Sequence, residues 1–365
     1  MRRAHFEALH PICPRCRIER GQDHPLILAE TLREQDDRIL EGVLHCTDAA
    51  CQLEYPIIDG IPLILPNIQT YIGNNLPHLT ARDDLSDTLE SILGDGAGPD
   101  TLFNSTRQHL SSYGWDNYGD LATAVALEDG AQAQAAPGAV KRCLDAGLEL
   151  LGTATRGPVI DIGCAVGRSS FELAAGSDQL VLGVDTNFSM LRLAQRVLSD
   201  GIVRYPQRRV GIVYDRREFT AEFNNSDRVD FWACDGLALP FSTGRFGLAV
   251  GLNVLDSVSS PRDLLESISR MLRPAGSAIL ACPYDWSQSV TPIEAWIGGH
   301  SQRGPGHGAS ESLLRSLLTP DAHPQSVQGL QITNERTDFP WHTRIHDRSS
   351  MTYSVHLVTA EARKP

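Results

Sequence analysis

Short apolar runs alternate with helix-like segments through the middle of the sequence. The runs are residues 158–162, 180–185, 231–234, 246–253 and 278–282. Between them, Ser189–Leu198 and Arg262–Leu272 repeat apolar residues at the spacing of a helix face. Runs of this length predict strands buried on both faces. Their alternation with helices predicts a doubly wound, mostly parallel sheet, which is an α/β fold.

The first strand of this series leads into a glycine turn. Residues 158–173 are Pro-Val-Ile-Asp-Ile-Gly-Cys-Ala-Val-Gly-Arg-Ser-Ser-Phe-Glu-Leu, which predicts a strand, a loop and the start of a helix. Gly163 and Gly167 would let the backbone approach a ligand closely. The second strand ends in Asp185, about twenty residues after the glycines, where a carboxylate suits the two hydroxyls of a ribose. The third strand is followed by another carboxylate, Asp235.

The length and charge of the chain limit its partners. At 365 residues it can hold one large domain and a small one. No apolar run approaches the roughly 20 residues that span a bilayer, and no secretory signal is evident, so we expect a cytoplasmic protein without membrane contact. The net charge of −13 argues against sequence-independent binding of nucleic acid. The first twenty residues are locally positive, however, so nucleic acid is not excluded as a partner.

Four of the eight cysteines form two pairs near the start of the sequence. Two residues separate Cys13 from Cys16, and four separate Cys46 from Cys51. Two thiolate pairs suit a tetrahedral, structural Zn²⁺ that would hold a small domain together. A disulfide or a metal-free state is the alternative. The remaining cysteines are expected to be small core residues: Cys143, Cys164, Cys234 and Cys282.

With its glycine loop and strand-end carboxylates in this order, the chain resembles the class I S-adenosylmethionine-dependent methyltransferases over residues 155–285. Leu-Arg-Pro-Ala-Gly before the fifth strand is also typical of them. The resemblance implies a Rossmann-like fold with a seven-stranded, mostly parallel sheet, and S-adenosylmethionine as co-substrate. A dinucleotide dehydrogenase would share the loop and the ribose carboxylate, but Gly-Cys-Ala-Val-Gly lacks its third glycine.

The expected cofactor site lies at the carboxyl ends of the strands, where such sheets bind ligands. Asp185 and Thr186 should meet the ribose, Asp235 and Gly236 the adenine, and Asn253 should lie beside the transferred methyl group. The residues expected at the methionine portion are Asp161, Gly163, Cys164 and Gly167.

The N-terminal region resembles a second family. Residues 8–66 are similar to the zinc-ribbon domains typified by the small activator subunit of tRNA and protein methyltransferases, because Tyr-Pro-Ile-Ile-Asp-Gly-Ile-Pro follows the cysteines. The four-residue spacing of the second pair departs from the usual two. We therefore predict a zinc-ribbon domain at 1–66, a helical cap or linker at 67–150 and the methyltransferase domain at 151–365. The ribbon would stiffen the cap, mediate a homodimer or touch the substrate.

The cap has two segments of helical spacing, Thr80–Leu93 and Pro137–Leu151, and a glycine-rich break at 94–99. Between them lies an aromatic cluster at residues 113–118. Its three aromatic residues would either form a lid over the cofactor or pack the cap on the sheet: Tyr113, Trp115 and Tyr118.

A narrower resemblance covers residues 155–360. In addition to the glycine loop, the blocks at 253–256, 283–286, 296–299 and 338–348 are similar to the methyltransferase domain of ovothiol biosynthesis, which methylates an imidazole nitrogen of a thiolated histidine. The first of these blocks lacks the family's arginine, Tyr-Asp-Trp replaces Tyr-Thr-Trp, and no sulfoxide synthase region is attached. We therefore expect a stand-alone enzyme acting on a small substrate related to 5-thiohistidine.

The resemblance suggests residues for catalysis. Asn253 and Asp256 would hold the imidazole ring and Tyr284 would orient it. His346 or Asp285 would take the proton, and Arg344 would bind a substrate carboxylate as a fork. Each could instead cap a turn, pack or lie on the surface.

Two other functions stay open. The first is an RNA base methyltransferase that grips its substrate with the ribbon. The second is a non-catalytic interaction protein. A glycine-rich loop, residues 298–308, is a candidate lid.

Overall fold

The structure, a computed structural model, describes residues 1–122, 136–152 and 156–363. The first part of the chain forms two short helices and four strands that pair antiparallel in succession. Their bounds are α1 (Arg3–Leu9), α2 (Pro14–Arg20), β1 (Leu26–Gln35), β2 (Arg38–Cys46), β3 (Glu54–Ile58) and β4 (Ile61–Ile64). All six elements lie within the region where the sequence predicts a zinc ribbon.

A helical segment follows. It consists of α3 (Ile68–Leu79), α4 (Asp87–Ala97), α5 (Leu102–Tyr118) and α6 (Ala139–Leu151). The prediction of a helix from Thr80 that breaks at Gly94 was wrong at both ends. Ser86 caps α4 by accepting a hydrogen bond from the Leu89 N–H, and the helix runs through Gly94. A β-carbon at Gly94 would lie 2.0 Å from the Arg107 guanidinium, so this glycine allows two helices to approach closely.

The central part of the chain alternates strands and helices as expected. Its elements are β5 (Val159–Ile162), α7 (Arg168–Ala175), β6 (Val181–Asp185), α8 (Phe188–Asp200), β7 (Ile202–Val210), β8 (Val213–Thr220), β9 (Val229–Cys234), β10 (Phe246–Leu252), α9 (Pro261–Met271) and β11 (Leu272–Cys282). The five apolar runs and both helix-spaced segments form the predicted elements. The first residue of the methyltransferase resemblance, Thr155, lies outside the described residues. The chain then continues through α10 (Ser310–Leu317) into a long hairpin of β12 (Leu330–His346) and β13 (Ser349–Ala362).

The main sheet is larger than predicted. It has eleven strands in the order β1-β2-β3-β4-β9-β6-β5-β10-β11-β13-β12, and β7 and β8 form a separate hairpin. The six strands from β4 to β11 in this order are parallel, and the pairs outside them are antiparallel. The expectation of seven strands was therefore wrong, because the N-terminal region adds its own strands to one edge of the α/β sheet.

The junction between the N-terminal region and the α/β sheet is one parallel strand pair. Leu63 lies opposite Ala233 and Ile64 opposite Cys234, so β4 continues the sheet directly from β9. All four residues are buried and belong to one continuous apolar core. The region 1–66 is therefore part of the same sheet and covers the edge that β9 would otherwise expose.

The parallel strands bring the ends of β5, β6, β9 and β10 to one edge of the sheet. Helix α5 lies over this edge and packs against β7 and β12. Side chains from the strand ends, the cap and the terminal hairpin consequently meet in one place. Among the described helices, none is both long and apolar enough to cross a membrane.

Candidate functional site

A cavity of about 560 Å³ lies at the carboxyl ends of these strands, beneath α5 and β12. Its size falls within the roughly 300–1,000 Å³ of pockets that enclose small molecules. The predicted site residues that line it are Gly163, Cys164, Asp185, Thr186, Asp235, Gly236, Asn253, Asp256 and Asp285. The structure thus brings together most of the residues that the sequence places at strand ends.

The two glycines of the first loop play different parts. Gly163 has a φ of +71° and lines the cavity, and a β-carbon there would lie 2.8 Å from the Val254 side chain. Gly167 has a φ of +91° and lies behind the loop, where a β-carbon would lie 2.6 Å from the Phe231 ring and 2.8 Å from the Ala194 side chain. Gly167 therefore packs α7 onto the sheet and does not line the cavity as its predicted role required.

Replacing Gly167 with alanine should destabilise the chain by about 1–3 kcal/mol or more, because the new methyl group has no room and the backbone conformation is strained for a non-glycine residue. Urea unfolding measures the change. The matched control is Gly211→Ala, which has a φ of +57° but no atom within 4 Å of the added carbon. Equal losses in both variants would mean that packing at Gly167 contributes nothing.

Asp161 lies beneath the loop and outside the cavity lining. Its Oδ2 accepts hydrogen bonds of 2.6 Å from the hydroxyls of Ser169 and Ser170, which open α7. Burial raises the pKa of Asp161 to about 6, although both hydroxyls oppose the shift. Asp161 thus fixes the loop to the helix that follows it, and Ser169 rather than Asp161 reaches the cavity.

Asp185 is held rigidly at the middle of the cavity. Its two oxygens accept hydrogen bonds from the backbone N–H groups of Ala165 at 2.9 Å and Asn187 at 2.8 Å. Burial raises the pKa of this carboxyl group, and the backbone hydrogen bonds oppose the shift. Next to it, the Thr186 carbonyl accepts a hydrogen bond of 2.8 Å from Tyr71 on α3. No local pattern in the sequence indicates Tyr71, because its contact joins segments more than a hundred residues apart.

Asp235 directly follows β9 and is held in a similar way. Its Oδ1 accepts a hydrogen bond of 2.9 Å from the Leu237 N–H. Asp185 and Asp235 follow neighbouring parallel strands, so one elongated ligand can contact both.

The other end of the cavity holds polar groups around Asn253. This residue has a φ of +54°, and among the described residues its buried Oδ1 has no hydrogen-bond partner. Asp256 accepts a hydrogen bond of 2.8 Å from the Asp285 N–H, and burial raises its pKa. The Asp285 carboxylate accepts one of 3.0 Å from the Tyr353 hydroxyl. This end therefore offers amide and carboxylate oxygens beside an aromatic ring.

One acidic residue of this cavity escaped the sequence analysis. Asp116, on α5, is 6% exposed, and its Oδ2 accepts hydrogen bonds from Trp341 Nε1 at 3.2 Å and the Thr343 hydroxyl at 2.7 Å. All three residues line the cavity. Burial raises the pKa of Asp116 to about 7, and the bonds from Thr343 and Trp341 oppose the shift. The available signal was a carboxylate one helical turn from Tyr113, inside the aromatic cluster.

The buried carboxyl group of Asp116 should make stability depend on pH. Its pKa is about 7 when folded against 3.8 as the reference, so between these values the folded chain holds a proton that the unfolded chain has lost. The wild type should therefore lose stability relative to Asp116→Asn as the pH rises from about 4 to about 7, by an amount on the order of a few kcal/mol. Urea unfolding across this range measures the difference, and a constant difference would contradict the assignment.

Several predicted residues do not reach the cavity. The Tyr284 hydroxyl lies 2.7 Å from His356 Nδ1 and is not among the cavity-lining groups. Arg344 donates to the Arg208 carbonyl at 2.8 Å and pairs with Asp347. His346 accepts a hydrogen bond of 3.2 Å from the Arg348 N–H. The placements proposed for Tyr284, Arg344 and His346 at the substrate therefore do not agree with the geometry.

The aromatic cluster of α5 divides between the two expected roles. Tyr113 lines the cavity, whereas Tyr118 is fully buried and donates a hydrogen bond of 2.6 Å to the Val166 carbonyl. Trp115 packs against the core outside the lining. Among the described residues, no side chain of the loop 298–308 lines the cavity.

The four N-terminal cysteines form a separate cluster. Their sulfur atoms all lie within 4.8 Å of one another, with 3.9 Å between Cys13 and Cys51 and 3.7 Å between Cys16 and Cys46. A zinc tetrahedron with bonds of about 2.3 Å has sulfur–sulfur edges of about 3.8 Å. The wider spacing of the second pair in sequence therefore does not prevent a tetrahedral ligand set, and the donors fit Zn²⁺.

Comparisons with solved structures find many distant likenesses. Phosphoethanolamine N-methyltransferase 2 of Haemonchus contortus, in complex with S-adenosylmethionine, is 21% identical with a TM-score of 0.29, covering 38% of this chain and 28% of its own. The chain thus spans just over a quarter of that protein. The cyclase SpnF is 16% identical with a TM-score of 0.42, covering 65% and 86%. A methyltransferase from Methanosarcina mazei is 20% identical with a TM-score of 0.36, covering 57% and 93%.

A family comparison is more direct. Residues 160–280 match the family model described as a methyltransferase domain. No curated protein matches the sequence. The family match lies inside the region for which the sequence predicted a class I methyltransferase, and it contains the glycine loop and the strand-end carboxylates of the cavity. The chain therefore contains a methyltransferase domain over residues 160–280.

Proposed function

We propose that the chain transfers the methyl group of S-adenosylmethionine to an imidazole nitrogen of a small, histidine-derived substrate related to 5-thiohistidine. The observation that carries this proposal is that the side chains in the two halves of the cavity suit two different ligands. One half has Asp185 and Asp235 at strand ends for the nucleoside. The other half has two hydrogen-bond acceptors beside the ring of Trp341, the Asn253 amide and the Asp116 carboxylate. Each has a buried oxygen without a partner among the described residues. These acceptors suit a flat heteroaromatic ring with N–H groups.

The reaction would be an in-line displacement. The lone pair of a ring nitrogen attacks the methyl carbon, the bond between carbon and sulfur breaks, and its electron pair stays on sulfur, which becomes neutral. The other ring nitrogen then releases its proton to water or to a carboxylate. Holding both reactants in line accounts for much of the rate enhancement, because their translational freedom has already been lost on binding.

Asn253 and Asp256 are the groups of this chain best placed to hold the acceptor ring. Asn253 directly follows β10 and lines the cavity. Its amide oxygen has no partner among the described residues and can accept the N–H of the ring nitrogen that does not react. This fixes the tautomer in which the reacting nitrogen keeps its lone pair. Asp256 follows three residues later and can accept the released proton.

We also propose that the four-cysteine cluster holds a structural Zn²⁺. The sulfur–sulfur distances and burial of three of the four ligands support this. A closed set of four thiolates leaves no open position for substrate, so the metal would serve the fold and not the chemistry.

An RNA substrate has less support. That function requires free basic side chains on the N-terminal region, but its arginines are largely paired with acidic neighbours. The pairs are Arg3 with Glu34, Arg15 with Glu19, Arg17 with Asp23 and Arg20 with Asp48. Paired charges offer little attraction to phosphate groups.

The test is methyl transfer from labelled S-adenosylmethionine with 5-thiohistidine, histidine and bulk RNA offered in parallel. Label on a small imidazole supports the proposal. Label on RNA alone would contradict it and favour the RNA base methyltransferase. An Asp235→Ala variant of the expected cofactor site provides the background rate.

A further inference from the structure

Among the described residues, all charged side chains that line the cavity are acidic. Its lining includes five carboxylates, Asp116, Asp185, Asp235, Asp256 and Asp285. Among the described residues, no lysine, arginine or histidine lines it. Arg344, which the sequence placed at a substrate carboxylate, is engaged elsewhere with the Arg208 carbonyl and Asp347. An anionic group in the acceptor half would therefore meet carboxylates and no compensating cation.

Among these carboxylates, Asp116 would be stabilised most by a hydrogen bond from a ligand. It is 94% buried, and its Oδ2 already accepts two hydrogen bonds from Trp341 and Thr343. Its Oδ1 has no partner within the described part of the chain. A buried acceptor without a partner costs about 1–3 kcal/mol, and more when it is charged, so a bound donor would recover that cost.

The other carboxylates of the lining are already partly satisfied. Asp185 accepts two backbone N–H groups, Asp235 accepts one, Asp256 accepts the Asp285 N–H, and Asp285 accepts the Tyr353 hydroxyl. Asp185 and Asp235 also lie in the half assigned to the nucleoside. Within the part of the chain that the structure describes, Asp116 is thus the carboxylate of the acceptor half with a buried oxygen that has no partner.

We propose that the acceptor is a cation, an imidazole that carries an aliphatic ammonium group and no carboxylate, and that Asp116 binds this ammonium group. This inference rests on the function proposed above and narrows its substrate class. The ammonium group keeps its proton throughout, while the neutral ring nitrogen supplies the electron pair for transfer. An amino acid acceptor would add a second carboxylate, beside that of S-adenosylmethionine, to the same acidic cavity, where like charges repel.

The state of Asp116 without ligand agrees with this role. Burial raises its pKa, and the hydrogen bonds from Thr343 and Trp341 and the charge of Arg142 only partly oppose the shift. A bound ammonium group supplies a positive charge, and a charge-assisted hydrogen bond is worth about 1.5–3 kcal/mol.

Binding can be measured without turnover. Calorimetry in saturating S-adenosylhomocysteine compares three ligands with the same ring: imidazole-4-ethylamine, histidine and imidazole-4-propionate. The amine should bind at least about tenfold more tightly than histidine, and the propionate more weakly still. Asp116→Asn should weaken amine binding at least about tenfold, with unchanged binding of S-adenosylhomocysteine as evidence of folding. The matched control, Asp338→Asn, replaces a carboxylate that is 80% exposed and should change nothing.

Equal or tighter binding of histidine or the propionate would overturn the inference, as would amine binding that does not depend on Asp116. Absence of binding by all three ligands would overturn the inference, whereas the proposed function is tested by methyl transfer to 5-thiohistidine. Mass analysis of turnover separates the two. Methylation of histidine but not of the amine would overturn the inference and leave the proposed function standing. Asp116-dependent amine binding without methylation would support the cation site and contradict the proposed reaction.

Discussion

The Asp185→Asn variant is expected to bind S-adenosylmethionine at least about 100-fold more weakly than the wild-type chain. Both oxygens of Asp185 accept backbone N–H groups, from Ala165 and Asn187. An asparagine can accept only one of these, and its amide N–H₂ would face the other donor. Each hydrogen bond to a charged group is worth about 1.5–3 kcal/mol, and the ribose hydroxyls would lose the same acceptor, so a loss of about 2.7 kcal/mol is expected.

Isothermal calorimetry measures this loss, with Asp178→Asn as the control. Asp178 is also a carboxylate of the α/β region but is 89% exposed, so its replacement should leave affinity unchanged. Wild-type affinity in Asp185→Asn would contradict the assignment of the cavity to the cofactor. Circular dichroism of both variants separates loss of binding from loss of fold.

The second large effect is expected in the N-terminal region. The double variant Cys13→Ser/Cys16→Ser should fail to accumulate as soluble, folded protein. Two of four thiolates would be lost, and small zinc domains depend on their metal for folding. Because β4 pairs with β9 through Leu63 and Ile64, unfolding of this region would also expose the edge of the α/β sheet.

Soluble yield, melting temperature and zinc content test this expectation. The control is Arg15→Ser, which changes an exposed side chain between the same two cysteines and should retain metal and yield. Wild-type chain that binds no zinc, or a double variant with wild-type melting temperature, would contradict a structural metal. A soluble double variant that has lost only substrate binding would instead indicate that the region recognises the substrate.

The strand-end residues of the cavity could be predicted from sequence because their signals are local. Gly163, Asp185 and Asp235 each follow an apolar run directly, and parallel strands carry such residues to one edge. Asp116 and Tyr71 gave no comparable signal. They reach the site through helix packing between distant segments, which no short pattern along the chain encodes.

The terminal hairpin shows a different limit. Trp341 and Thr343 line the cavity, whereas Arg344 and His346 do not. Successive side chains of a strand point to opposite faces, so a motif can identify the right strand and still select residues on the wrong face. The motif block located β12 at the site, but only the structure distinguished its two faces.

The size of the sheet could not be predicted for a similar reason. The parallel core follows from buried apolar runs, whereas the pairing of β4 with β9 joins residues about 170 positions apart. Edge pairing depends on the twist and exposure of the assembled sheet. The resemblance of residues 8–66 to a separate ribbon family suggested an independent domain rather than four added strands.

Ring methylation is tested most directly by the fragment mass spectrum of the small imidazole after incubation with the chain and S-adenosylmethionine. We expect a product that carries one added methyl group, located on a nitrogen of the ring, and strongly reduced product from Asp185→Asn at limiting S-adenosylmethionine. Added mass on the side-chain amine, on sulfur or on a nucleoside in RNA would contradict this expectation.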